Sequence, residues 1–343
     1  MNRPPMRRRS RRIGGLLNLR GLLPAAIAAA ALDLLFPYRG PAFADPAAAP
    51  ALARSRPERY TDFGNPEMVQ ILGYDDNQGN SNDAMEPFIS RDGNFLFFNN
   101  LNTGTAANPT NLFWATRIGD VTFQFQGEIA GGVNSSGPLD AVPSMDSDGN
   151  FYFVTTRSYS NFGTPGYLST IYSGPFSDGS VAPVNPVSGV AAPRVGLVNF
   201  DEEISADGNT LYFTQGDFSA GSGPPASTVM MVATRQGSKF VVDPKSAWLM
   251  RAINDRHLNY AADISADQLE FFWTRTNLKV GFAIYMATRK STAKPFGEAR
   301  KIHAITGYAE APSISPDGLS LYYHLKNSNG VFVINRVTRA LKP

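Results

Sequence analysis

The sequence predicts an all-β fold, a β-propeller of five four-stranded blades. One short segment recurs five times in 343 residues, and each copy joins an apolar residue, a Ser-x-Asp-Gly type of turn and an aromatic strand. The copies are 50 to 60 residues apart, which leaves room for four strands in each repeat. A near-copy of one outer strand precedes the first repeat and can complete the last one. The five turn aspartates are Asp92, Asp148, Asp207, Asp267 and Asp317.

Each repeat supports this prediction strand by strand. The turn glycine can adopt a positive φ angle and the turn aspartate can bond the neighbouring backbone, so two strands meet in a tight hairpin. A third strand follows in the segments Leu112–Arg117, Met230–Arg235 and Ile284–Arg289, and a fourth in 296–305. Gln268 replaces the turn glycine in the fourth repeat, so we expect that turn to be less regular.

The two ends of the repeated region predict how the ring closes. The fifth repeat ends at Pro343 after its third strand, whereas residues 65–74 resemble the outer strand that starts at Phe296. We therefore expect residues 62–76 to pair, as an outer strand, with the sheet formed by the last thirty residues, which leaves no open sheet edge. A sixth blade is the alternative, if a degenerate repeat lies within 158–199.

The repeats resemble the WD40-like, TolB-type propeller repeat. Ser315–Gly318 and its variants upstream carry this resemblance, as does the passage around the second repeat. The resemblance spans nearly all of the chain after the N-terminal segment and implies a propeller, a fold that hosts both enzymes and binding modules. In the second repeat it rests on Val133–Ser135, Asp140, Pro143, Asp148, Gly149, Tyr152 and Phe153.

The N-terminal residues 1–44 have the pattern of an export signal. A cluster of arginines precedes the mostly apolar segment 21–36, and Ala42-Phe43-Ala44 provides a small-x-small cleavage site before Asp45. The apolar segment is short for a membrane span. Ser10-Arg-Arg-Ile13 resembles a twin-arginine signal, and the general secretion route and the twin-arginine route both remain open.

The predicted domain organisation follows from this processing. Residues 45–60, rich in Ala and Pro, predict a flexible linker, and residues 61–343 a single propeller domain. We expect a periplasmic or secreted protein, a monomer, with no membrane span after cleavage.

Composition excludes several kinds of function. The chain has no cysteine, so disulfides, thiolate metal sites and a cysteine nucleophile are excluded. Residues 1–44 carry eight Arg and one Asp, so the remaining chain has 23 basic and 28 acidic side chains. This net charge of −5 predicts no nucleic-acid partner.

Acidic residues concentrate on the predicted inner strands, just before the turns. Such a ring could bind a hard cation or, as a carboxylate pair, hydrolyse a glycosidic bond. Carboxylates there can instead hold neighbouring blades together, with Arg157 and Arg275 as partners, and we favour this interpretation. We expect no metal site and no cofactor, with Ca²⁺ as the alternative. The candidate ligand-binding residues are Glu86, Asp140, Asp201, Glu203, Asp263, Arg275 and Glu310, and the candidate catalytic residues among them are Asp201, Glu203 and Asp263.

Two functions lead, and a third, a ligand-sensing scaffold within an envelope complex, remains open. We favour a non-enzymatic binding or scaffold propeller that contacts a protein or a cell-envelope glycan through one face. The alternative is a glycoside hydrolase of the five-bladed arabinanase type. Hydrolysis needs two carboxylates about 5–10 Å apart in an open cleft. A channel plugged by Phe, Tyr or Pro therefore argues against the enzyme.

Overall fold

The computed structural model of the chain describes residues 59–75, 82–103, 107–134, 139–158, 168–220, 223–277 and 281–343. The predicted signal segment and nearly all of the predicted linker lie outside these residues. Five antiparallel sheets, each with four main strands, form the five blades of a propeller, and the all-β prediction is confirmed. Among the described residues the only α-helix is the four-residue α1, Ser246–Leu249.

The strands follow the repeats in chain order. The N-terminal segment forms β1 (Gly64–Met68) and β2 (Gln70–Leu72). The first blade has β3 (Met85–Ile89), β4 (Phe95–Asn99), β5 (Leu112–Arg117) and β6 (Thr122–Glu128). The second has β7 (Ala130–Gly131), β8 (Asp140–Met145), β9 (Asn150–Thr155), β10 (Ile171–Ser177), β11 (Ser180–Val181) and β12 (Asn185–Pro186). The third has β13 (Leu197–Ile204), β14 (Thr210–Asp217), β15 (Thr228–Gln236) and β16 (Lys239–Val242). The fourth has β17 (Leu258–Ile264), β18 (Glu270–Asn277), β19 (Gly281–Thr288) and β20 (Arg300–Lys301), and the fifth has β21 (Ala309–Ile314), β22 (Ser320–Lys326) and β23 (Phe332–Thr338).

The second blade is the irregular one. Its outer part consists of the two-residue strands β11 and β12, which both pair with β10, and β7 adds to β11 in parallel. The described part of the segment 158–199 therefore belongs mainly to the second blade, and the alternative of a sixth blade is wrong.

The N-terminal segment closes the ring in a more elaborate way than the sequence predicts. β1 pairs antiparallel with β23, as expected, with Glu67 opposite Arg336. Beyond the buried Val69, however, β2 pairs in parallel with β6 of the first blade, so that half of the prediction is wrong. The first and fifth blades are neighbours in the ring, and the N–H groups of Val69 and Gln70 bond to one blade each. The segment thus joins two blades instead of completing one.

In four blades, an arginine at the end of the third strand bonds to the turn of its own blade and packs on an aromatic ring, an arrangement here called the arginine clasp. In the first blade Arg117 donates to the carbonyl of the turn residue Gly93 and to the Tyr322 hydroxyl of the preceding blade, and its guanidinium lies 4.7 Å from the Phe123 ring centroid. Arg235 and Arg289 repeat all three contacts in the third and fourth blades. The strands ending in Ala-Thr-Arg are therefore structural.

The fifth blade uses the N-terminal segment for the same clasp. Arg339 donates to the Gly318 carbonyl, and its guanidinium lies 4.5 Å from the Phe63 ring and 3.7 Å from the Tyr60 ring. Phe63 thus takes the place that Phe296 has in the fourth blade. This contact, together with the strand pairing, fixes the position of the closing segment.

The fourth turn is as regular as the others despite Gln268. This residue adopts a φ of 57°, and Ser265 and Asp267 make the same hydrogen bonds as their counterparts in the first, third and fifth turns. The expected irregularity is not observed, because the side-chain bonds hold the turn while Gln268 accepts a left-handed backbone.

Candidate functional site

A β-bulge at the same point of every inner strand shapes the central channel. Each bulge has one residue in the left-handed region, with φ between 49° and 55°. The residue after it lines the channel cavity, and three of these five residues are prolines. The bulge residues are Glu86, Val142, Asp201, Ala261 and Ala311, and the residues that follow are Pro87, Pro143, Glu202, Ala262 and Pro312.

The channel is nearly filled. Its cavity has a volume of about 20 Å³, which is room for about one water molecule. A channel plugged in part by prolines is the geometry that argues against an open hydrolytic cleft at the propeller axis.

Arg91 closes the channel at the end where the Ser-x-Asp-Gly turns lie, here called the turn end. It comes from the turn of the first blade and forms an ion pair with Glu203 of the third blade, with its side chain only 6% exposed. Its guanidinium also donates to the carbonyls of Met145 (3.1 Å), Ile204 (2.6 Å) and Ile264 (3.4 Å). One side chain thus binds three other blades.

The carboxyl groups of the candidate catalytic residues Glu203 and Asp263 bond to residues of other blades. Glu203 accepts a 2.7 Å hydrogen bond from the Ser144 hydroxyl, which itself accepts the Ile204 N–H at 3.0 Å. Asp263 accepts the N–H of Ile314 from the fifth blade. Burial, and then the charge of Glu203, raise the pKa of Asp263 well above its usual value, which favours the neutral form of Asp263.

A second set of acidic residues meets at the opposite end of the channel, where the inner strands begin, here called the entry end. Glu86, Asp201 and Glu310 come from three different blades, are all buried, and interact electrostatically. Burial raises the pKa of Glu310 to about 8, although hydrogen bonds from Tyr260 and Tyr308 oppose the shift.

Burial also raises the pKa of Asp201 to about 7, with a further contribution from the charge of Glu310. Asp201 accepts the Ala261 N–H at 2.9 Å, and Glu86 accepts the Asn102 amide at 3.1 Å. The three acidic residues therefore have partners within the protein, and burial favours their neutral forms.

Polar side chains at the end of the second strands support the bulges. His324 Nδ1 accepts the Glu86 N–H at 3.0 Å, Asn99 accepts the Val142 N–H at 3.2 Å, and Thr274 accepts the Ala311 N–H at 2.9 Å. These residues occupy the same place in their repeats, thirteen positions after the bulge residue. An alignment of the repeats could have identified this set, because the position is polar in all five copies.

Glu202 is one of four acidic residues that line the cavity, with Glu86, Glu203 and Asp263. It is 2% exposed, and neither carboxylate oxygen makes a hydrogen bond within the described structure. Burial raises its pKa well above the usual value. Although three acids meet at the entry end, no group of three or more His, Asp or Glu side chains within the described residues has the arrangement needed to hold a metal ion.

The remaining two candidates lie apart from the channel carboxylates. Asp140 is buried and pairs with Arg157 at 3.0 Å, the pairing that the sequence suggested. Arg275 instead pairs with Asp255 at 2.9 Å, and its guanidinium lies 4.4 Å from the Tyr285 ring centroid. The structure therefore divides the predicted ring into a turn-end pair, an entry-end trio and two separate ion pairs.

The fold and channel define the class of the protein as a five-bladed β-propeller, and the comparisons with known proteins agree with that class. No family model matches the sequence, and the search of curated proteins gave no match. Similar solved structures include an endo-arabinase from Bacteroides thetaiotaomicron VPI-5482, with 15% identity, 80% of this chain and 98% of that chain covered, and a TM-score of 0.51. The family 117 glycoside hydrolase Zg3597 from Zobellia galactanivorans has 12% identity, 82% and 91% coverage, and a TM-score of 0.52.

TolB from Acinetobacter baumannii is also similar, with 14% identity and a TM-score of 0.42. The alignment covers 76% of this chain but 55% of TolB, so the chain spans about half the length of that protein. At these identities the similarities establish the fold alone. Within the described part of the chain, no helix is long and apolar enough to cross a membrane.

Proposed function

We propose that this chain is an exported, non-enzymatic binding propeller with repeats of the WD40-like, TolB-type family. It acts in the periplasm or outside the cell and contacts a protein or an envelope glycan through one propeller face. The observation that carries the proposal is the state of the channel, which has room for about one water molecule and whose acidic residues mostly bond neighbouring blades.

The closed channel disfavours catalysis on the axis. A glycosidase needs space for a sugar between its two carboxyl groups, and an inverting enzyme also needs space for the attacking water. Glu203 and Asp263 have no such space, because Arg91, Ser144 and the backbone of the fifth blade occupy their oxygens.

The entry-end face is the better candidate for contacting a partner. At the turn end, Arg91 and the tight turns close the channel with groups that already have partners. The second strands end and the third strands begin on the opposite face, and segments that a rigid scaffold positions in this way are common binding elements.

Binding and product formation should be measured on the same material. The mature protein would be applied to immobilised envelope glycans and plant polysaccharides, while parallel samples are assayed for new reducing ends, and crosslinking in cells would detect protein partners. We expect a glycan or protein to be retained without product formation. Sustained product formation by wild type would contradict the proposal.

A glycoside hydrolase is the second candidate, because Glu86, Asp201 and Glu310 converge at the entry end and burial raises the pKa of all three. Perturbed acids on neighbouring strands are a feature of acid–base sites. The test is reducing-end release from arabinan and related polysaccharides by wild type and by Asp201→Asn. Activity that the substitution abolishes would establish this alternative.

A further inference from the structure

The first blade contains a recess that is separate from the channel described above. It is lined by residues 73–75, 82–83 and 100–101 together with Asn108, Phe113 and Phe125, and its volume is about 450 Å³. Small-molecule sites typically have volumes of about 300–1,000 Å³. The recess is therefore large enough for a ligand of one or two sugar rings, whereas the channel is not.

Three aromatic side chains form one wall of the recess. The Tyr74 ring centroid lies 5.6 Å from that of Phe113 and 4.9 Å from that of Phe125, and the two phenylalanine rings are 5.9 Å apart. All three rings are half-buried, whereas Phe98 beneath them is fully buried. The wall thus keeps part of its aromatic surface open, on a buried base that holds it rigid.

Hydrogen bonds fix the polar part of the recess. The Tyr74 hydroxyl donates to the Asp83 carbonyl at 2.9 Å, and the Asp83 carboxylate accepts the Phe332 N–H at 2.9 Å. Asn82 and Asn108 also line the recess, and none of its described lining residues is basic. Carboxylate and amide oxygens accept hydrogen bonds from hydroxyl groups, and the absence of a cation in this lining disfavours an anionic ligand.

The aromatic pair is specific to the first blade. Met231 and Tyr285 occupy the position of Phe113 in the third and fourth blades, and Val242 and Glu298 occupy that of Phe125. A ring pair needed only for the blade fold would recur in the other regular blades. Its restriction to one blade is what a one-sided binding site requires.

We propose that this recess binds a neutral saccharide of one or two rings. The C–H face of a sugar ring packs on Phe113 and Phe125, and its hydroxyl groups donate to Asp83 and Asn82. Aromatic side chains suit this role because they provide rigid apolar surface at low entropic cost. The inference rests on the proposed binding function and deepens it, since it places the glycan contact on one blade and not on the channel.

The test is ligand-observed NMR of the mature protein with neutral disaccharides (cellobiose, maltose and arabinobiose), with galacturonic acid and choline as charged probes. We expect a neutral sugar to bind, and Phe125→Leu to weaken that binding about tenfold. Asn82→Ala, a milder change at the other side of the recess, should also weaken it. Phe95→Leu is the matched control, because Phe95 is half-buried in the same sheet and outside the recess, and it should leave binding unchanged.

Each contrary outcome has a distinct meaning. Binding that survives Phe125→Leu and Asn82→Ala would overturn the recess site while leaving the binding function in place. The saccharide assignment would be overturned if choline alone binds. It would also be overturned if no neutral sugar binds while crosslinking in cells detects a protein partner. Product formation from the sugars would instead contradict the proposed non-enzymatic function.

Discussion

The acidic trio at the entry end should make the protein less stable as the pH rises from about 4 to about 8. The folded protein keeps Glu310 protonated up to its raised pKa of about 8, whereas the unfolded chain releases that proton near the ordinary value of 4.5. The unfolded state therefore binds fewer protons across this window, and its free energy falls relative to the folded state. The stabilisation is complete below pH 4 and is lost as the pH passes the folded pKa.

The magnitude follows from the size of the shift. At 1.36 kcal/mol per pKa unit, the shift of Glu310 from 4.5 to about 8 corresponds to about 5 kcal/mol, and that of Asp201 from 3.8 to about 7 to about 4 kcal/mol. The charge of Glu310 contributes to the shift of Asp201, so the two figures overlap. We therefore expect these two carboxyls to lower the free energy of unfolding by more than about 5 kcal/mol across the window, but by less than the sum of the two figures.

Urea denaturation at several pH values between about 4.5 and 8.5 measures this slope. Glu310→Gln removes the titrating proton while keeping the shape of the side chain, so the fall in stability across the window should become smaller by about 5 kcal/mol. Glu298→Gln, at an exposed position of the fourth blade, is the control and should keep the wild-type slope. A wild-type stability that is constant or rises over the window would refute the reasoning, as would a Glu310→Gln variant with an unchanged slope.

Three further predictions concern closure, the channel plug and export. Phe63→Ala should lower the free energy of unfolding by about 3 kcal/mol, because it removes the buried ring on which Arg339 lies. A loss below about 1 kcal/mol in urea denaturation would contradict the role of Phe63 in the arginine clasp of the fifth blade. Arg91→Met should lower the free energy of unfolding by about 3 kcal/mol, because it removes the ion-pair partner of Glu203. The double variant with Glu203→Gln should recover part of that loss. Additive losses in urea denaturation would argue against the ion pair. N-terminal sequencing of exported protein should find a start at or near Asp45, and an intact Met1 on soluble exported protein would contradict the signal interpretation.

The parts of the fold that depend on local chemistry could be predicted from the sequence. Ser315, Asp317 and Gly318 make their turn through bonds within six residues, and the same side-chain bonds recur in the first, third and fourth blades. The pairing of β1 with β23 was also predictable, because the fifth repeat lacks its outer strand. The crossing of β2 to the first blade was not, since nothing in its three residues specifies a partner sheet.

The contacts of the candidate site were less predictable, because they join residues far apart in the sequence. Arg91 occupies the variable position of its turn, and its contacts with the second, third and fourth blades appear only when the ring is assembled. The acidic residues of the inner strands were correctly identified as a concentrated set. Their division between the turn end and the entry end depends on the bulge, which no residue type marks: Glu, Val, Asp and Ala all occupy it.

The role of the channel acids can be measured with one assay on two proteins. Wild type and Asp201→Asn would be incubated with a panel of envelope and plant polysaccharides, and new reducing ends would be counted over time. We predict no release by either protein above the level of the blank, together with retention of a glycan or protein partner by wild type. Release by wild type that disappears in a folded Asp201→Asn variant would show that the channel acids are catalytic, and would contradict their structural role.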